Sequence, residues 1–344
     1  MRFPRGKISS TLLIVSWFLQ LIFGLAEPQA ATDAGGKLEK SGLVLAYPQP
    51  SGVFTPIFVA DEAGFFKKYG LEVKLQQLNP QTSVQAVVSG SADVSVAAGD
   101  LVNASLQGAR IKLVGSSMSQ LVFQLWAAKE ITSVSQLKGK MVAGTTPRSV
   151  LEIATREALK RHGLNFDIDY RMIYMQSVPA VLTAISSGKA AAGAMSAPTT
   201  LKAKDSGLNM LVDIAKLNVP GLPLAYGFTE KFINENPNTV SAFLKSVAEG
   251  VARTKSDPAG AKRAIAKFIK TDDGKVLDDT YNFYAPYFVT DLALRRDQLQ
   301  RWFSYLDEKE YPQAAKASPS DFYDNSFVAA LEKSGFFQKL GSVR

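Results

Sequence analysis

The stretch Leu43-Val44-Leu45-Ala46 has a counterpart 98 positions later in the chain, Met141-Val142-Ala143-Gly144. Both runs are short, apolar and followed by small or turn-forming residues, which is typical of buried strands in a parallel sheet. The same shift places Ser51 opposite Ser149. The two runs therefore predict the first strands of two equivalent structural units.

The segments that follow the two runs also correspond. Residues 52–68 and 149–161 have helical patterns, and each is followed by a Gly-Leu pair whose glycine is typical of a helix end. To within one position, the shift pairs further predicted strands and helices, namely 73–76 with 170–173, 83–89 with 181–187, and 92–96 with 190–194. Each half is therefore predicted to run strand, helix, strand, helix, strand.

This order of elements predicts an α/β fold with two parallel sheets flanked by helices. Loops that lead from a strand into a helix gather at the carboxyl edge of each sheet, where such folds bind ligands. Two units facing each other would form a cleft between two lobes. Chance agreement of two ordinary α/β stretches is the alternative, but strand order, helix ends and loop positions agree together, which favours a structural repeat.

Residues 220–344 do not follow the repeat. Residues 220–223 (Pro-Gly-Leu-Pro) predict a connector, residues 224–228 predict one more strand, and helices are expected from Asn236-Pro237 onward. The simplest place for these helices is against the first lobe. The expected organisation is a discontinuous first lobe of residues 41–123 and 224–344, with a second lobe of residues 124–223 inserted into it.

The N-terminus has the pattern of a secretory signal peptide over residues 1–26. Three basic residues precede an apolar stretch over residues 11–25, which ends in the small residues of Gly24-Leu25-Ala26. The alternative is a membrane anchor, but a spanning helix needs about 20 apolar residues and this stretch is shorter and interrupted by polar residues. We expect export to the periplasm with cleavage near Ala26, followed by a flexible segment over residues 27–40.

Composition narrows the class of protein. The chain has 344 residues, of which 46% are apolar and 20% charged, and it contains no cysteine, so a globular fold without disulfides is expected. Its 39 Lys and Arg against 31 Asp and Glu give a formal charge of +8, with no basic run longer than two residues. Such a distribution offers no stripe for several phosphates, which excludes nucleic acid as an expected partner. We expect a monomer.

Three stretches resemble the periplasmic substrate-binding proteins of ABC importers for nitrate, sulfonates, taurine and thiamine precursors. They are residues 57–73 (IFVADEAGFFKKYGLEV), 89–94 (SGSADV) and 134–140 (VSQLKGK), and the resemblance extends over roughly residues 41–255. It implies a type II periplasmic binding protein, whose two lobes close on a small ligand by a hinge motion. It also implies delivery of that ligand to an ABC permease in the inner membrane.

The candidate ligand-binding residues lie in loops that lead into helices, where free N–H groups and the positive helix dipole favour an anion. The strongest candidate is the loop Thr145-Thr146-Pro147-Arg148-Ser149, whose guanidinium could grip a carboxylate or a sulfonate at two points. Replacing Arg148 by alanine should then weaken binding by roughly 2 to 4 kcal/mol. The alternative is a solvated arginine that points away. The other candidates are Tyr47, Gln49, Ser51, Gly99, Asp100, Gln176, Ser196 and Thr199.

Several of these residues have a second interpretation. Asp100 precedes a helix predicted over residues 101–107, so its expected role is the helix N-cap; the alternative is that it holds a cationic or hydrogen-bond-donating part of the ligand. Tyr47 could stack on a planar ligand or cover the end of the core. Trp126 is expected to pack near the hinge. Sulfonate-binding members of the resembled family place small hydroxyl residues where this chain has Pro147-Arg148, which leaves the ligand class open.

The sequence predicts a binding protein and not an enzyme. The chain has one histidine, His162, at a predicted helix end, where the helix dipole accounts for a cation. No nucleophilic set, phosphate loop or metal-ligand cluster can be assembled around it, so no cofactor and no metal are expected. The alternatives are a ligand-binding sensor or adaptor component and an enzyme on the same two-lobed fold.

Overall fold

The computed structural model describes residues 36–48, 51–306 and 309–342. Within these ranges, ten strands form two five-stranded sheets. The predicted signal peptide, most of the segment 27–40 and the candidate site residue Gln49 lie outside the described residues. Among the described helices, none combines the length and the apolar composition needed to span a bilayer.

The strands in chain order are β1 (Gly42–Tyr47), β2 (Glu72–Gln77), β3 (Val94–Ser95), β4 (Ile111–Gln120), β5 (Gln124–Ala127), β6 (Met141–Gly144), β7 (Arg171–Tyr174), β8 (Ala192–Met195), β9 (Asn209–Asp213) and β10 (Pro220–Thr229). The α-helices are α1 (Thr55–Glu62), α2 (Phe65–Lys68), α3 (Pro80–Ser89), α4 (Ala98–Leu106), α5 (Val150–Arg161), α6 (Val178–Ser186), α7 (Thr199–Asp205), α8 (Glu230–Glu235), α9 (Pro237–Ser256), α10 (Pro258–Ile269), α11 (Gly274–Tyr284), α12 (Arg296–Phe303), α13 (Ser326–Lys333) and α14 (Phe336–Ser342). Short 3-10 helices cover Gly52–Phe54, Val134–Leu137, Ile214–Leu217, Ala285–Tyr287 and Pro319–Phe322.

The two sheets have the same design. Their strand orders are β2-β1-β3-β10-β4 and β7-β6-β8-β5-β9. In both sheets the first strand of the repeat pairs in parallel with a strand whose residues lie 30 positions further along the chain, as Gly42 does with Glu72 and Met141 with Arg171. The predicted repeat of strand, helix, strand, helix, strand is therefore confirmed in both halves.

The parallel pairing predicted for the three repeat strands of each half is confirmed, but each sheet also contains one antiparallel strand. Strand β10 pairs antiparallel with β3 and β4, and β5 pairs antiparallel with β8 and β9. These two strands are the ones that enter directly from the other sheet without a crossover helix, so parallel pairing is not imposed on them. Each sheet with its packed helices forms one lobe.

The return of the chain to the first sheet occurs earlier than the sequence predicts. Residues 220–223 were expected to be a connector, but they are the start of β10, with Pro220 opposite Gln120. The register is irregular between Pro220 and Leu224. Proline is tolerated at such an irregularity because it lacks the N–H that a regular ladder requires. The chain therefore crosses between the sheets at residues 121–123 and 214–219.

Two predicted helices have different starts or ends in the structure. The helix expected over residues 52–68 is divided into a 3-10 turn, α1 and α2, because Gly64 adopts a left-handed conformation (φ 74°) that interrupts it. Helix α4 starts at Ala98, earlier than the expected residue 101. Its N-cap is Ala97, so Asp100 lies inside the first turn and the prediction that it is the N-cap is wrong.

The C-terminal helices do not pack on the first lobe alone. We define the strap as residues 295–306 and 309–311, which include α12. Gln298 of the strap donates a hydrogen bond to the Gly221 carbonyl at 2.7 Å in the first lobe. Tyr305 donates a hydrogen bond to Glu157 of α5 in the second lobe, and Glu310 forms an ion pair with Arg148. The strap thus connects the two lobes in addition to the two chain crossings.

Candidate ligand-binding cleft

A cavity of about 310 Å³ lies between the two sheets. The first turns of four helices line it, since the lining includes residues 79–81 of α3 and its cap, 98–100 of α4, 149–151 of α5 and its cap, and 177–178 of α6 and its cap. Free N–H groups at helix starts make this wall rich in hydrogen-bond donors. The rest of the wall includes apolar side chains such as Phe54, Met118 and Phe123.

The second lobe contributes a polar wall of hydroxyl and amide groups. Ser149 caps α5 by accepting a hydrogen bond from the Glu152 N–H at 3.3 Å, and its hydroxyl lies 3.0 Å from the Thr145 hydroxyl. Ser177 caps α6 in the same way through the Ala180 N–H. The lining residues from this lobe that the sequence singled out are Thr145, Thr146, Ser149, Gln176 and Ser196.

The first lobe contributes fewer polar groups. Ser51, Gly99 and Asp100, all singled out from the sequence, line the cavity. Asn79 caps α3, with its side-chain oxygen accepting from the Thr82 N–H at 2.9 Å. Tyr284 also lines the cavity.

Tyr284 joins the two lobes at the wall of the cavity. Its hydroxyl lies 3.5 Å from the Ser51 hydroxyl of the first lobe and is near enough to Ser196 of the second lobe for that side chain to lower the pKa of Tyr284. Burial raises the pKa of Tyr284, and Ser196 and Ser51 oppose that shift only in part. The hydroxyl therefore stays neutral and offers a donor and an acceptor at physiological pH.

Asp100 is the one residue with a formal charge that lines the cavity in the described part of the chain. It is partly buried in the first turn of α4. Burial raises the pKa of Asp100 to about 6, and a hydrogen bond with its own backbone N–H opposes that shift. The carboxyl group is therefore mostly ionised at neutral pH and becomes protonated in mildly acidic solution.

Four other candidates lie away from the cavity or outside the described residues. Arg148 has its guanidinium 2.6 Å from the Glu310 carboxylate, over the ring of Tyr311. Tyr47 is buried against Phe54 and Phe58 with edge-on ring contacts, so it covers the core. The remaining two are Thr199, which is buried at the start of α7, and Gln49, which is not among the described residues.

Sequence reasoning missed four polar lining residues, Asn79, Gln81, Ser177 and Tyr284. Asn79 and Ser177 are separated by the same 98 positions as the two first strands, so the repeat could have identified them as paired helix caps. Tyr284 belongs to the part of the chain that does not follow the repeat, and no local pattern marks it. It is recognised only through its contacts with Ser51 and Ser196.

The described lining of the cavity contains no His, Cys or Lys. Within the described residues, no set of His, Asp or Glu side chains is arranged to hold a metal ion. His162 lies at the end of α5, where its Nδ1 is 2.8 Å from the Ala158 carbonyl, and it does not line the cavity. The described lining can bind a polar molecule through hydrogen bonds and one carboxylate.

The geometry changes the expected effect of Arg148→Ala on ligand affinity. Because the guanidinium is paired with Glu310 outside the cavity and both side chains are partly exposed, we expect a loss of less than about 1 kcal/mol, or fivefold. Isothermal titration calorimetry with any sulfonate or carboxylate that binds the wild type measures this. Arg263→Ala, at an exposed position, controls for the lost charge. A loss of thirtyfold or more at Arg148 alone would mean that the guanidinium enters the cleft when ligand binds.

Comparison with known proteins gives a family and a fold. The family described as NMT1/THI5 like matches residues 51–261, which is more than half of the chain. No curated protein sequence matches this chain. Among solved structures, the periplasmic aliphatic sulphonate binding protein of Escherichia coli has 19% identity and a TM-score of 0.68 over 82% of this chain and 92% of that chain.

Two further solved structures share the fold. The periplasmic nitrate-binding protein of Synechocystis PCC 6803 has 14% identity and a TM-score of 0.69, covering 87% of this chain and 90% of that chain. A desulfurization enzyme has 15% identity and a TM-score of 0.63, covering 86% of this chain and 100% of that chain. At these identities the likeness establishes the fold, which is the two-lobed fold of periplasmic binding proteins, as the sequence predicts.

Proposed function

Because the chain belongs to the NMT1/THI5-like family, we propose that it is an extracytoplasmic solute-binding protein that captures a small polar organic molecule for an ABC importer. The observation that carries this proposal is the cavity between the lobes, lined by the first turns of four helices. A volume of about 310 Å³ is within the range of sites for small molecules. Polar groups from both lobes converge on it.

We further propose that the ligand has an acidic group, bound on the side of the second lobe. On that side the described wall holds Thr145, Thr146, Ser149 and Ser177 together with the first turns of α5 and α6. These groups donate hydrogen bonds, and the positive ends of two helix dipoles lie at this wall. In this proposal peptide N–H groups and hydroxyls hold the anion, and Arg148 does not.

The two sheets would act as lobes that move about the crossings at residues 121–123 and 214–219. A ligand that contacts both lobes favours the closed state by the contacts that exist only in that state. Tyr284, which lies beside Ser51 of the first lobe and Ser196 of the second, would close one side of the cavity. The closed form would be presented to a permease in the inner membrane, and the protein would be periplasmic.

Binding without turnover is the function that the described lining supports. One solved structure with this fold is an enzyme, so the fold alone does not decide between catalysis and binding. A serine or threonine nucleophile needs an adjacent general base, most often His, and the described lining contains no His, Cys or Lys. Asp100 and Tyr284 are its ionisable groups, and they are suited to hydrogen bonding.

Native mass spectrometry of the protein purified from the periplasmic fraction tests the proposed function. We expect a chain that begins near Glu27 and carries a small non-covalent adduct, which denaturation releases unchanged. A chain with an intact Met1 in the membrane fraction, or an adduct that the protein converts into another compound, would contradict the proposal. Deleting the gene should abolish uptake of the released molecule, whereas unaffected uptake would favour a sensor.

A further inference from the structure

Asp100 lies in the first turn of α4, where the positive end of the helix dipole stabilises a carboxylate, but no described side chain is paired with it. The N-cap of α4 is Ala97, which makes no side-chain cap hydrogen bond. The Asp100 carboxylate bonds to its own backbone N–H, and no described side chain forms an ion pair with it. The helix dipole offsets only part of the free-energy cost of burying a carboxylate, and a positively charged partner would offset more of it. A ligand is the group that can reach the carboxylate, because Asp100 lines the cavity.

The position of Asp100 is fixed by packing beneath it. Trp302 of the strap packs against Gly99, the preceding residue, and donates a hydrogen bond from Nε1 to the Asn103 side chain at 2.8 Å. The two contacts hold the first and second turns of α4. The carboxylate is therefore presented to the cavity from a rigid element, as a specificity group requires.

No other charge in the described structure opposes or compensates Asp100 inside the cavity. The elements that face it across the cavity present Phe54 and Val53 of the first lobe, Leu222 and Pro223 of β10, and the polar uncharged wall of the second lobe. The strap presents the Trp302 indole, and its Arg301 is directed to Glu157. The titratable group that shares the cavity with Asp100 is the Tyr284 hydroxyl, which stays neutral.

We propose that Asp100 selects ligands that carry a protonated nitrogen group, an ammonium or an amidinium, which binds the carboxylate at the α4 end of the cavity. This inference rests on the proposed function, because it assigns the second end of a molecule whose acidic group lies on the second lobe. The net charge of such a ligand is near zero. Its protonated nitrogen matches the Asp100 carboxylate, and its acidic group matches the donor-rich wall of the described cavity.

Isosteric pairs of compounds test the role of Asp100. The pairs are 3-aminopropane-1-sulfonate with butane-1-sulfonate, and 4-aminobutanoate with pentanoate, in which an ammonium replaces a methyl group. Calorimetry at pH 8 should show that the wild type binds the amino member of a pair at least tenfold more tightly. Asp100→Asn should bring the two members within threefold of each other. Asp272→Asn, which removes an exposed carboxylate, should keep the wild-type preference.

The pH dependence gives an independent readout with the sulfonate pair, whose acidic group does not titrate. Since the pKa of Asp100 is about 6, the carboxylate loses its charge as the pH falls through that value. The affinity of the wild type for 3-aminopropane-1-sulfonate should fall about tenfold from pH 7 to pH 5. Asp100→Asn should show no such fall, and thermal unfolding of both forms should confirm that the variant is folded.

The outcomes separate this inference from the proposed function. Binding of butane-1-sulfonate or pentanoate without any preference for the amino compounds would overturn the role of Asp100 and leave solute binding intact. A preference that persists in Asp100→Asn would also overturn it. If neither pair binds at millimolar concentration, the assigned ligand class is wrong. The proposed function is then tested separately by whether native mass spectrometry finds a small-molecule adduct.

Discussion

Replacing Glu157 by alanine is expected to lower the free energy of unfolding by about 3 kcal/mol, because it removes the acceptor that joins the strap to the second lobe. Glu157 lies on α5, is 5% exposed, and accepts hydrogen bonds from the Tyr305 hydroxyl and from Arg161 Nε, the latter at 2.8 Å. Arg301 of the strap is 3.7 Å from the same carboxylate. One side chain therefore serves three partners.

The expected value is at the low end of the range of about 3 to 5 kcal/mol for breaking a buried ion pair. The Arg161 and Arg301 side chains are 39% and 37% exposed, so water can solvate them after the substitution. The Tyr305 hydroxyl is buried and would lose its acceptor, which accounts for much of the cost.

Urea unfolding followed by circular dichroism measures the effect of Glu157→Ala, with Glu130→Ala at an exposed position as the control. Burial alone would raise the pKa of Glu157, but the hydrogen bonds from Tyr305 and Arg161 and the charge of Arg301 outweigh it, so the pKa lies below its usual range. Stability gained from ionised Glu157 is present above the pKa of an unfolded glutamate and is lost as the pH falls through the lower folded value. The variant should therefore lose less stability on acidification. A change below 1 kcal/mol at neutral pH would mean that the strap does not hold α5.

Gly99→Val is expected to destabilise the protein by about 3 kcal/mol, near the upper end of the usual cost of overpacking. A Cβ atom at residue 99 would lie 2.1 Å from the Trp302 indole, which is 4% exposed and anchored by its hydrogen bond to Asn103. A rigid ring in that position cannot rotate away, so the first turn of α4 or the strap must shift.

The same substitution should weaken ligand binding, because the turn that shifts is the one that places Asp100 in the cavity wall. If the turn reaches its bound position only at a cost near 3 kcal/mol, affinity falls by about a hundredfold, since each 1.4 kcal/mol corresponds to a factor of ten. Calorimetry with 3-aminopropane-1-sulfonate measures the affinity, and Trp302 fluorescence reports the packing. Gly42→Val provides the control, because the space around that glycine is open. Unchanged affinity and fluorescence in Gly99→Val would show that the contact is not tight.

The repeat made most of the framework of the cleft predictable from the sequence. Three strands and the helices between them recur at a fixed spacing, which identifies the loops at the edges of both sheets without any knowledge of distant contacts. Ser51 and Ser149, aligned by that spacing, both line the cavity. Local patterns of apolar residues and helix caps carry this information.

Features that depend on contacts distant in sequence were not predictable. The partner of Arg148 is Glu310, 162 residues away. Without knowledge of that partner, the loop around Arg148 has the residue types of an anion site. Tyr284 and the strap lie in the part of the chain that has no repeat to align with. The prediction that Asp100 is an N-cap was wrong for a local reason, since α4 starts at Ala98, three residues before the predicted start.

The two halves of the cavity wall are related by an approximate two-fold axis, since the two sheets share one strand order and Asn79 and Ser177 cap equivalent helices. A perfectly symmetric enclosure would accept a ligand in two opposite orientations of equal energy. The position equivalent to Asp100 in the second half is Pro198, which has neither charge nor N–H. This departure from symmetry, together with Tyr284 and the additional hydroxyl groups of the second lobe, removes the degeneracy, so a molecule lies in the cleft in one direction.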